Sequence, residues 1–473
     1  MSSAIYDVVV IGGGSGGYAA ARTAAALGAR VGVVEGGREM GGLCILRGCM
    51  PTKALLESAH RSHEIGRAAE FGIDVGKPRP DWERIVDRKD AFIRDFAGYR
   101  RQQLEKGKFD LIRGRARFID ARRIMVDPLK TGGRRRELAS RTFILATGSV
   151  IERKPIPGLW ETGCLTSDEA IHLRRPPKSL VVLGGGPIAC EFAQYFHHLG
   201  VRTTLLQRSR QLLSGHDADT AGELEKTFRR EGMEVLTGTQ LLQVSRHGNG
   251  KRVSFEQDGK RRHIDAGEIL YALGRIPAVA GLGLESAGVA LRGLAVQTGP
   301  TMQTTCKHIF AVGDVTGPYE VVHTAITQGE AAARNALKFL RGTGKLERVD
   351  YTSHMEVVFT SPEVASIGLS EKEALAEKVP FLSAKYPFND HGKSLIMGAR
   401  EGFVKILADP AKGRILGAQI VGPHASDLIH EFAALMHFKA TVHDLIRIPH
   451  YHPTLGEIVT YPAEEIADQL TAN

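Results

Sequence analysis

Two cysteines, Cys44 and Cys49, stand in the segment MGGLCILRGCMPTKALL, directly ahead of a proline that can open a helix. Four intervening residues are enough to close a disulfide within a loop. The N-terminus of a helix opened by Pro51 can then stabilise a thiolate, because its first N–H groups are unpaired and its dipole is positive at that end. This is the chemistry of a reversible dithiol. Cys164, Cys190 and Cys306 are solitary and fit small core residues. Five cysteines in 473 residues form no secreted disulfide framework, and their spacing is not that of zinc ligands, so no metal site is expected.

A second chemistry is written in glycines. YDVVVIG, GGSGGYAAARTAAALG and ARVGVVE read as strand, glycine turn with helix, and second strand, the start of a nucleotide-binding βαβ unit. Gly12, Gly14 and Gly17 remove side chains where the backbone turns, where it approaches a pyrophosphate, and where helix packs on strand. The helix N-terminus then faces the phosphates. Glu35 ends the second strand, where an acid accepts hydrogen bonds from a ribose diol. The pattern recurs in KSLVVLGGGPIACEFAQYFHHLGVRTTLLQ, with Gly184, Gly186 and, at the third position, Ala189. Two copies in the right context are far more specific than one. In the second copy the position equivalent to Glu35 is Gln207, and Arg208 and Arg210 follow. A 2′-phosphate repels a carboxylate and pairs with guanidinium groups, so this unit is expected to prefer NADPH over NADH.

These turns need elements to hold them. Helices are expected over Pro51 to Ala69, Trp82 to Lys106 and Val322 to Leu340, with short β segments ending at RTFILATGS and at HIFAVGD. From about Arg348 the pattern changes to β segments (MEVVFT, FVKILAD, RILGAQIVG) followed by helices around Ser426 to His437 and Leu455 to Asp468, a separate α+β domain. A chain of this length exceeds one core and implies about three domains.

The formal net charge is +9, with basic clusters at Arg134 to Arg136 and Lys260 to Arg262. Both lie beside glycines without interleaved aromatics, so they are read as solvated turns, and no nucleic-acid partner is expected. No apolar run approaches the roughly 18 residues of a membrane span, and MSSAIYDVVVIGGG lacks the layout of a secretory signal. A cytoplasmic protein is expected.

The cysteine segment resembles the redox signature GGTCxNxGCxPSK of the FAD-dependent pyridine nucleotide-disulfide oxidoreductases, which include glutathione reductase, dihydrolipoamide dehydrogenase and mercuric reductase. The resemblance extends over nearly the whole chain, through ATGS at Ala146 to Ser149, AVGD at Ala311 to Asp314, and HPTLGE at His452 to Glu457. It implies an α/β architecture of two Rossmann-like FAD- and NAD(P)-binding domains plus a C-terminal α+β dimerisation domain. The expected division is 1–152 and 277–347 for the FAD-binding domain, 153–276 for the NAD(P)-binding domain and 348–473 for the interface domain.

The resemblance also implies roles. Cys49 is the flavin-side thiol and Cys44 the interchange thiol that attacks substrate. Lys53 matches the lysine near the flavin and Glu191 its acidic partner. Thr147 and Gly148 fall in the FAD-binding ATGS motif, and Asp314 matches the aspartate on the ribityl chain. His452 corresponds to the catalytic base and Glu457 to the carboxylate that orients it, as thiol exchange near neutral pH requires. Because this segment serves the other subunit in the family, a homodimer is implied, with a cis bond before Pro453.

Departures narrow the activity. Leu43 and Leu46 replace the usual Thr and Asn, Pro187 stands where glutathione reductase has a gating Tyr, and Glu330 where that enzyme has an arginine, although Arg22 matches a glutathione-contacting position. The chain keeps His452 and ends in DQLTAN, unlike mercuric reductase with its extra C-terminal cysteine pair. The leading expectation is an NADPH-preferring disulfide oxidoreductase with NADH as the lesser donor. A metal-ion or quinone reductase, dihydrolipoamide dehydrogenase, and a catalytically silent scaffold follow as alternatives.

Overall fold

The computed structural model describes residues 5–472. The first four residues of the N-terminal segment read above, and the final Asn473, lie outside the described residues. The chain forms two compact units, one of residues 1–51, 88–153 and 274–350, the other of residues 52–87, 154–273 and 351–473. The stretch 52–87, expected within the first FAD-binding segment, thus packs in the second unit.

The first unit is built on a seven-stranded sheet in the order 110–113, 31–35, 6–11, 136–145, 123–127, 115–120, with 309–311 also paired to 136–145. Strands 110–113, 31–35, 6–11, 136–145 and 309–311 run parallel. Val8, Val9 and Val10 are wholly buried, as strands of a parallel sheet covered on both faces should be. The helix Ser15–Ala26 rises from the first glycine turn and crosses the helix Val322–Arg341 through small residues. A Cβ on Gly329 would fall 2.3 Å from the Gly16 carbonyl oxygen, so this crossing tolerates no side chain there. Gly342, at φ 63°, ends the second of these helices one residue later than expected.

The second unit holds three sheets. A parallel five-stranded sheet, ordered 234–236, 202–206, 179–183, 268–271, 165–166, carries the second glycine turn. An antiparallel sheet spans 239–266, and a five-stranded antiparallel sheet (355–358, 363–368, 415–422, 403–408, 382–387) forms the C-terminal region. Trp82, Phe192, Tyr195 and Phe196 pack together in the core, Trp82 stacked on Phe196 and edge-on to Tyr195 at 5.5 Å between ring centroids.

Three expectations are corrected. The cysteine segment is not a simple loop, since Cys44 sits in the short helix Gly42–Leu46 and Cys49 is already the first residue of the helix Cys49–Gly66. Pro51 is its third residue, a position whose N–H needs no intrahelical acceptor, so the ring is accommodated inside the first turn. Lys260 to Arg262 begin the strand Lys260–Ala266 instead of lying in a turn. That strand borders its sheet, where exposed lysines and arginines discourage pairing with another chain. The last helix is preceded by a 3₁₀ turn at Leu455–Val459 and spans Thr460–Ala472.

One buried charge sits in the strand Phe403–Ala408. Lys405, 1% exposed, places Nζ 2.8 Å from Asp217 Oδ2 and 2.8 Å from Asp219 Oδ1. Asp217 also accepts from Gln419 Nε2 at 2.6 Å and from the Lys372 backbone N–H at 2.9 Å. Burial pushes the Asp217 carboxyl up, but the lysine and the backbone donors outweigh it and hold it below the usual carboxylate range. A depressed folded pKa gives stability that is present above the ordinary value of about 3.9 and lost as pH falls through the folded one. Lys405→Met leaves the carboxylate buried without its cation, at a cost of about 3–5 kcal/mol. Its melting temperature at pH 7, read by circular dichroism, should drop on the order of 10 °C. The difference from wild type should shrink below about pH 4, and equal melting temperatures at pH 7 would show that the cluster does not stabilise the unit.

Candidate active site

In the first unit the glycine turn is closed by contact. A Cβ on Gly12 would lie 2.2 Å from the Ala146 carbonyl oxygen, and one on Gly17 would lie 1.9 Å from the Gly12 carbonyl oxygen. Helix, turn and strand end therefore touch backbone to backbone. A Cβ on Gly14 would meet only the Gly42 Cα, at 3.8 Å, so this part of the turn is less tightly enclosed. The Glu35 carboxylate is buried and accepts from the Gly13 N–H at 2.8 Å and the Gly37 N–H at 2.6 Å, which fixes it at the end of its strand.

ATGS and AVGD meet in the same unit, as Ser149 Oγ donates to Asp314 Oδ2 at 2.7 Å. Arg275 Nε in turn donates to Ser149 Oγ at 2.9 Å. Thr147 Oγ1 is buried with no hydrogen-bond partner, and Gly148 adopts φ 71°. An orphaned hydroxyl beside a side-chain-free phosphate cradle suits a large polar ligand that supplies the missing partner.

Gly48 shapes the dithiol segment. Its Cβ would fall 3.2 Å from Cys44 Cα and 3.1 Å from the Leu43 carbonyl oxygen, so the chain folds back on Cys44 just before Cys49. Cys44 is half-buried and Cys49 exposed. Leu43 and Leu46 are half-buried and Ile45 is buried, so the turn is flanked by apolar side chains. Arg22 Nη2 donates to Glu330 Oε1 at 2.8 Å. The residue that replaces the family arginine thus occupies the arginine that remains.

Sequence reasoning missed Arg100. Its guanidinium lies 4.3 Å from the centroid of the Tyr18 ring, and Nε and Nη1 are buried without hydrogen-bond partners. Burial lowers its pKa, while attraction to Tyr18 and to Cys44 raises it, so the guanidinium and Cys44 are within electrostatic reach. In the sequence it sits in GYRRQQLEK, which reads as the solvated face of a helix. Only the approach of Cys44 distinguishes it from its neighbour Arg101.

In the second unit the structure brings Lys53 and Glu191 together, Nζ lying 2.8 Å from each carboxylate oxygen. Glu191 is buried and also accepts from the Phe359 N–H at 3.0 Å, and Lys53 Nζ lies 4.6 Å from the centre of the Phe359 ring. Phe359 has no motif that would single it out. At the second glycine turn, a Cβ on Gly184 would meet the Ala272 carbonyl oxygen at 2.4 Å, Gly186 faces open space, and Ala189 is buried. Pro187 is the first residue of its helix, where a fixed φ costs nothing. Gln207 accepts from the Arg208 N–H at 3.0 Å, and the side chains of Arg208 and Arg210 are exposed. His452 Nδ1 pairs with Glu457 Oε1 at 2.8 Å, and the Thr454 N–H donates to the other oxygen at 2.7 Å. The His452–Pro453 bond is cis.

Comparison with known proteins agrees with this geometry. The profile of the pyridine nucleotide-disulphide oxidoreductases matches residues 6–329, and that of their dimerisation domain matches residues 355–463. The chain belongs to the pyridine nucleotide-disulphide oxidoreductase family. It is 37% identical over 475 residues to a dihydrolipoyl dehydrogenase from Thermus scotoductus, covering 98% of each chain. It is 34% identical to the dihydrolipoyl dehydrogenase of Geobacillus stearothermophilus, over 97% of this chain and 95% of that one. Among solved structures, LpdA from Mycobacterium tuberculosis superposes with TM-score 0.87 at 28% identity, over 97% of this chain and 99% of that one. The HOCl-induced flavoprotein disulfide reductase RclA from Escherichia coli, as its Cu(II) complex, gives 0.83 at 26% identity over 99% of both. The chain is therefore a flavoprotein disulfide oxidoreductase that uses FAD, with the family's dimerisation domain at its C-terminal end. Among the described residues no helix is long and apolar enough to cross a membrane.

A guanidinium near a thiol favours the thiolate, the form that alkylating agents attack. In the reduced enzyme, Arg100→Leu should slow iodoacetamide modification of Cys44 at pH 7 by about threefold to tenfold, while Arg101→Leu leaves it unchanged. Equal rates in the two variants, followed by peptide mass spectrometry, would remove Arg100 from the site.

Proposed function

We propose that the enzyme is an NADPH-preferring disulfide reductase working through Cys44 and Cys49. The coenzyme preference is carried by one observation: Gln207 stands at the ribose-reading position, its side chain accepting from the Arg208 backbone N–H, with the exposed side chains of Arg208 and Arg210 beside it. A carboxylate there would oppose a 2′-phosphate, whereas two guanidinium groups attract it.

On this reading residues 1–152 and 277–347 hold FAD through Gly12, Gly14, Gly17, Glu35, Thr147, Gly148 and Asp314. Residues 153–276 hold the nicotinamide coenzyme through Gly184, Gly186, Ala189 and the two arginines, and residues 348–473 join two copies. The chemistry that bound FAD would supply is two-electron transfer from the nicotinamide to the Cys44–Cys49 disulfide. Cys44 as thiolate attacks the acceptor disulfide, forming one S–S bond and releasing one acceptor thiolate, which takes a proton from His452 across the homodimer. Cys49 then attacks Cys44, closing the internal disulfide and releasing the second acceptor thiol. The acceptor gains two electrons and the dithiol loses two.

Glu457 fixes the ring and tautomer of His452 and stabilises its cation. The acid is held below its usual range by the Thr454 N–H and by His452, so it stays ionised throughout the working range. The imidazole is 81% exposed in a single chain, in keeping with a residue that serves a second copy. Glu191 positions the ammonium of Lys53 as the charge assigned to the flavin side. A cytoplasmic location accords with a chain whose cysteines form no secreted framework.

Dihydrolipoamide dehydrogenation is the second reading, favoured by the relatives that carry that name at up to 37% identity. It shares the dithiol and the histidine and differs in coenzyme and direction. Isothermal titration should show NADP⁺ binding at least about tenfold tighter than NAD⁺, with Arg208→Ala removing most of the difference. Steady-state kcat/KM for NADPH and NADH, with lipoamide and other disulfides as acceptors, should follow the same order. Equal affinities for the two coenzymes would overturn the preference and leave the second reading. Cys44→Ser should abolish disulfide reduction while NADPH still bleaches the flavin, and full turnover by this variant would reverse the assigned thiol roles.

A further inference from the structure

Three helix C-termini in the second unit converge on a group of side chains for which the disulfide chemistry has no use. His63 lies in the last turn of the helix Cys49–Gly66, His198 is the last residue of the helix Pro187–His198, and Glu231 caps the helix Ala218–Arg230. The imidazoles of His63 and His198 stack with ring centres 4.1 Å apart and planes 12° from parallel. Each aims Nε2 at the same carboxylate, His198 at 3.0 Å from Oε2 and His63 at 3.6 Å from Oε1 of Glu231. One donor atom from each residue lies within 4.8 Å of the other two.

We propose that His63, His198 and Glu231 form a binding site for a divalent transition-metal ion of the zinc type. Two imidazole nitrogens and one carboxylate oxygen are the ligand set such ions take, and around a tetrahedral ion with bonds of roughly 2.0–2.1 Å the ligand atoms stand about 3.3 Å apart. The two measured donor separations bracket that figure. The negative ends of three helices add a field that favours a cation. Among the described residues, the bases within ion-pair distance of Glu231 are these two imidazoles.

The surroundings fit a site that can be entered. All three residues line a cavity of about 520 Å³. The His198 side chain is 1% exposed, Glu231 12% and His63 24%, so His63 is the most accessible ligand and the cavity leaves room for water at the fourth position. His197 Nε2 pairs with the Glu231 backbone oxygen at 2.9 Å and helps to hold the cap. Nδ1 of His198 and Nε2 of the adjoining His60 are buried without partners, and a metal bond at His198 Nε2 would replace the hydrogen that this nitrogen now directs at Glu231. An ion here would pin the far end of the helix that begins at Cys49 to the helix that opens at the second glycine turn.

The test uses the FAD-loaded enzyme, stripped with chelator, kept oxidised so that Cys44 and Cys49 are joined, and dialysed against Zn²⁺ alone at pH 7.5. Wild type should retain one zinc per chain by elemental mass spectrometry and melt at a higher temperature with zinc than without. His63→Ala should lose at least about a hundredfold in affinity and Glu231→Gln about tenfold, while His437→Ala, on an exposed helix face, should bind like wild type. Flavin absorbance and the zinc-free melting temperature report whether each variant folds. Should His63→Ala not fold, Co²⁺ added to wild type decides the matter. A visible spectrum of tetrahedral nitrogen and oxygen ligation without a cobalt–thiolate band supports the site, and a thiolate band overturns it. Absence of zinc uptake by wild type, or unchanged uptake in a folded His63→Ala, would also overturn it.

Discussion

The architecture depends on bringing backbone against backbone at the glycine turns. Between Gly17 and the Gly12 carbonyl oxygen there is not enough space for a single carbon atom, since a Cβ there would stand 1.9 Å from the oxygen. That closeness lets the helix start directly under the strand ends, with its unpaired N–H groups pointing where phosphates must lie. The helix crossing at Gly16 and Gly329 then follows, because the long helix Val322–Arg341 can seat itself on the first helix only where both present backbone. The second unit repeats the solution at Gly184, against Ala272. Alanine at position 189 is tolerated because its Cβ lies 3.6 Å from where a Gly184 Cβ would stand, an ordinary contact.

Elsewhere in each unit, several charges are answered by a paired group. Lys53 and Glu191 meet in a two-pronged pair, Lys405 is held among Asp217, Asp219 and Glu371, and Arg22 is answered by Glu330. Their physical meanings differ. The Lys405 cluster is buried and specifies how the strand Phe403–Ala408 joins the helix Ala218–Arg230, so breaking it is expensive and replacing it whole need not be. The Arg22 pair is exposed and adds little stability, but it changes what a ligand meets: a guanidinium already bonded to a carboxylate is a poor receptor for a second one.

The sequence announced the parts whose chemistry demands fixed spacing. Glycines at 12, 14 and 17, cysteines at 44 and 49, and the HPTLGE run are legible because backbone conformation or bond length allows few alternatives there. The strand and helix types followed from periodicity, with ends displaced by one to five residues where a cap, a 3₁₀ turn or a proline within a first turn decided the matter. What could not be read depends on folding that brings distant segments together. Arg100 looks like any exposed helical arginine until Cys44 approaches it, Phe359 looks like an ordinary core residue until its N–H meets Glu191, and His63, His198 and Glu231 are 135 and 33 positions apart in the chain. Lys260 to Arg262 misled for the opposite reason: a basic run beside glycine suits a turn and an exposed border strand equally well.

Family membership fixes the electron carrier and leaves the acceptor to local electrostatics. In the first unit the charge of Arg22 is answered by Glu330, while Arg100, within electrostatic reach of Cys44, keeps two unpartnered nitrogens on a helix the redox motif does not include. Leu43, Ile45 and Leu46 make the wall beside the dithiol apolar. A large, multiply charged disulfide suits such a surface poorly, because it would need more than one cation and would desolvate its charges against hydrocarbon. The departures from the family signature therefore act together, lowering polarity beside the dithiol and leaving Arg100, on the helix Trp82–Glu105, as a guanidinium within electrostatic reach of Cys44.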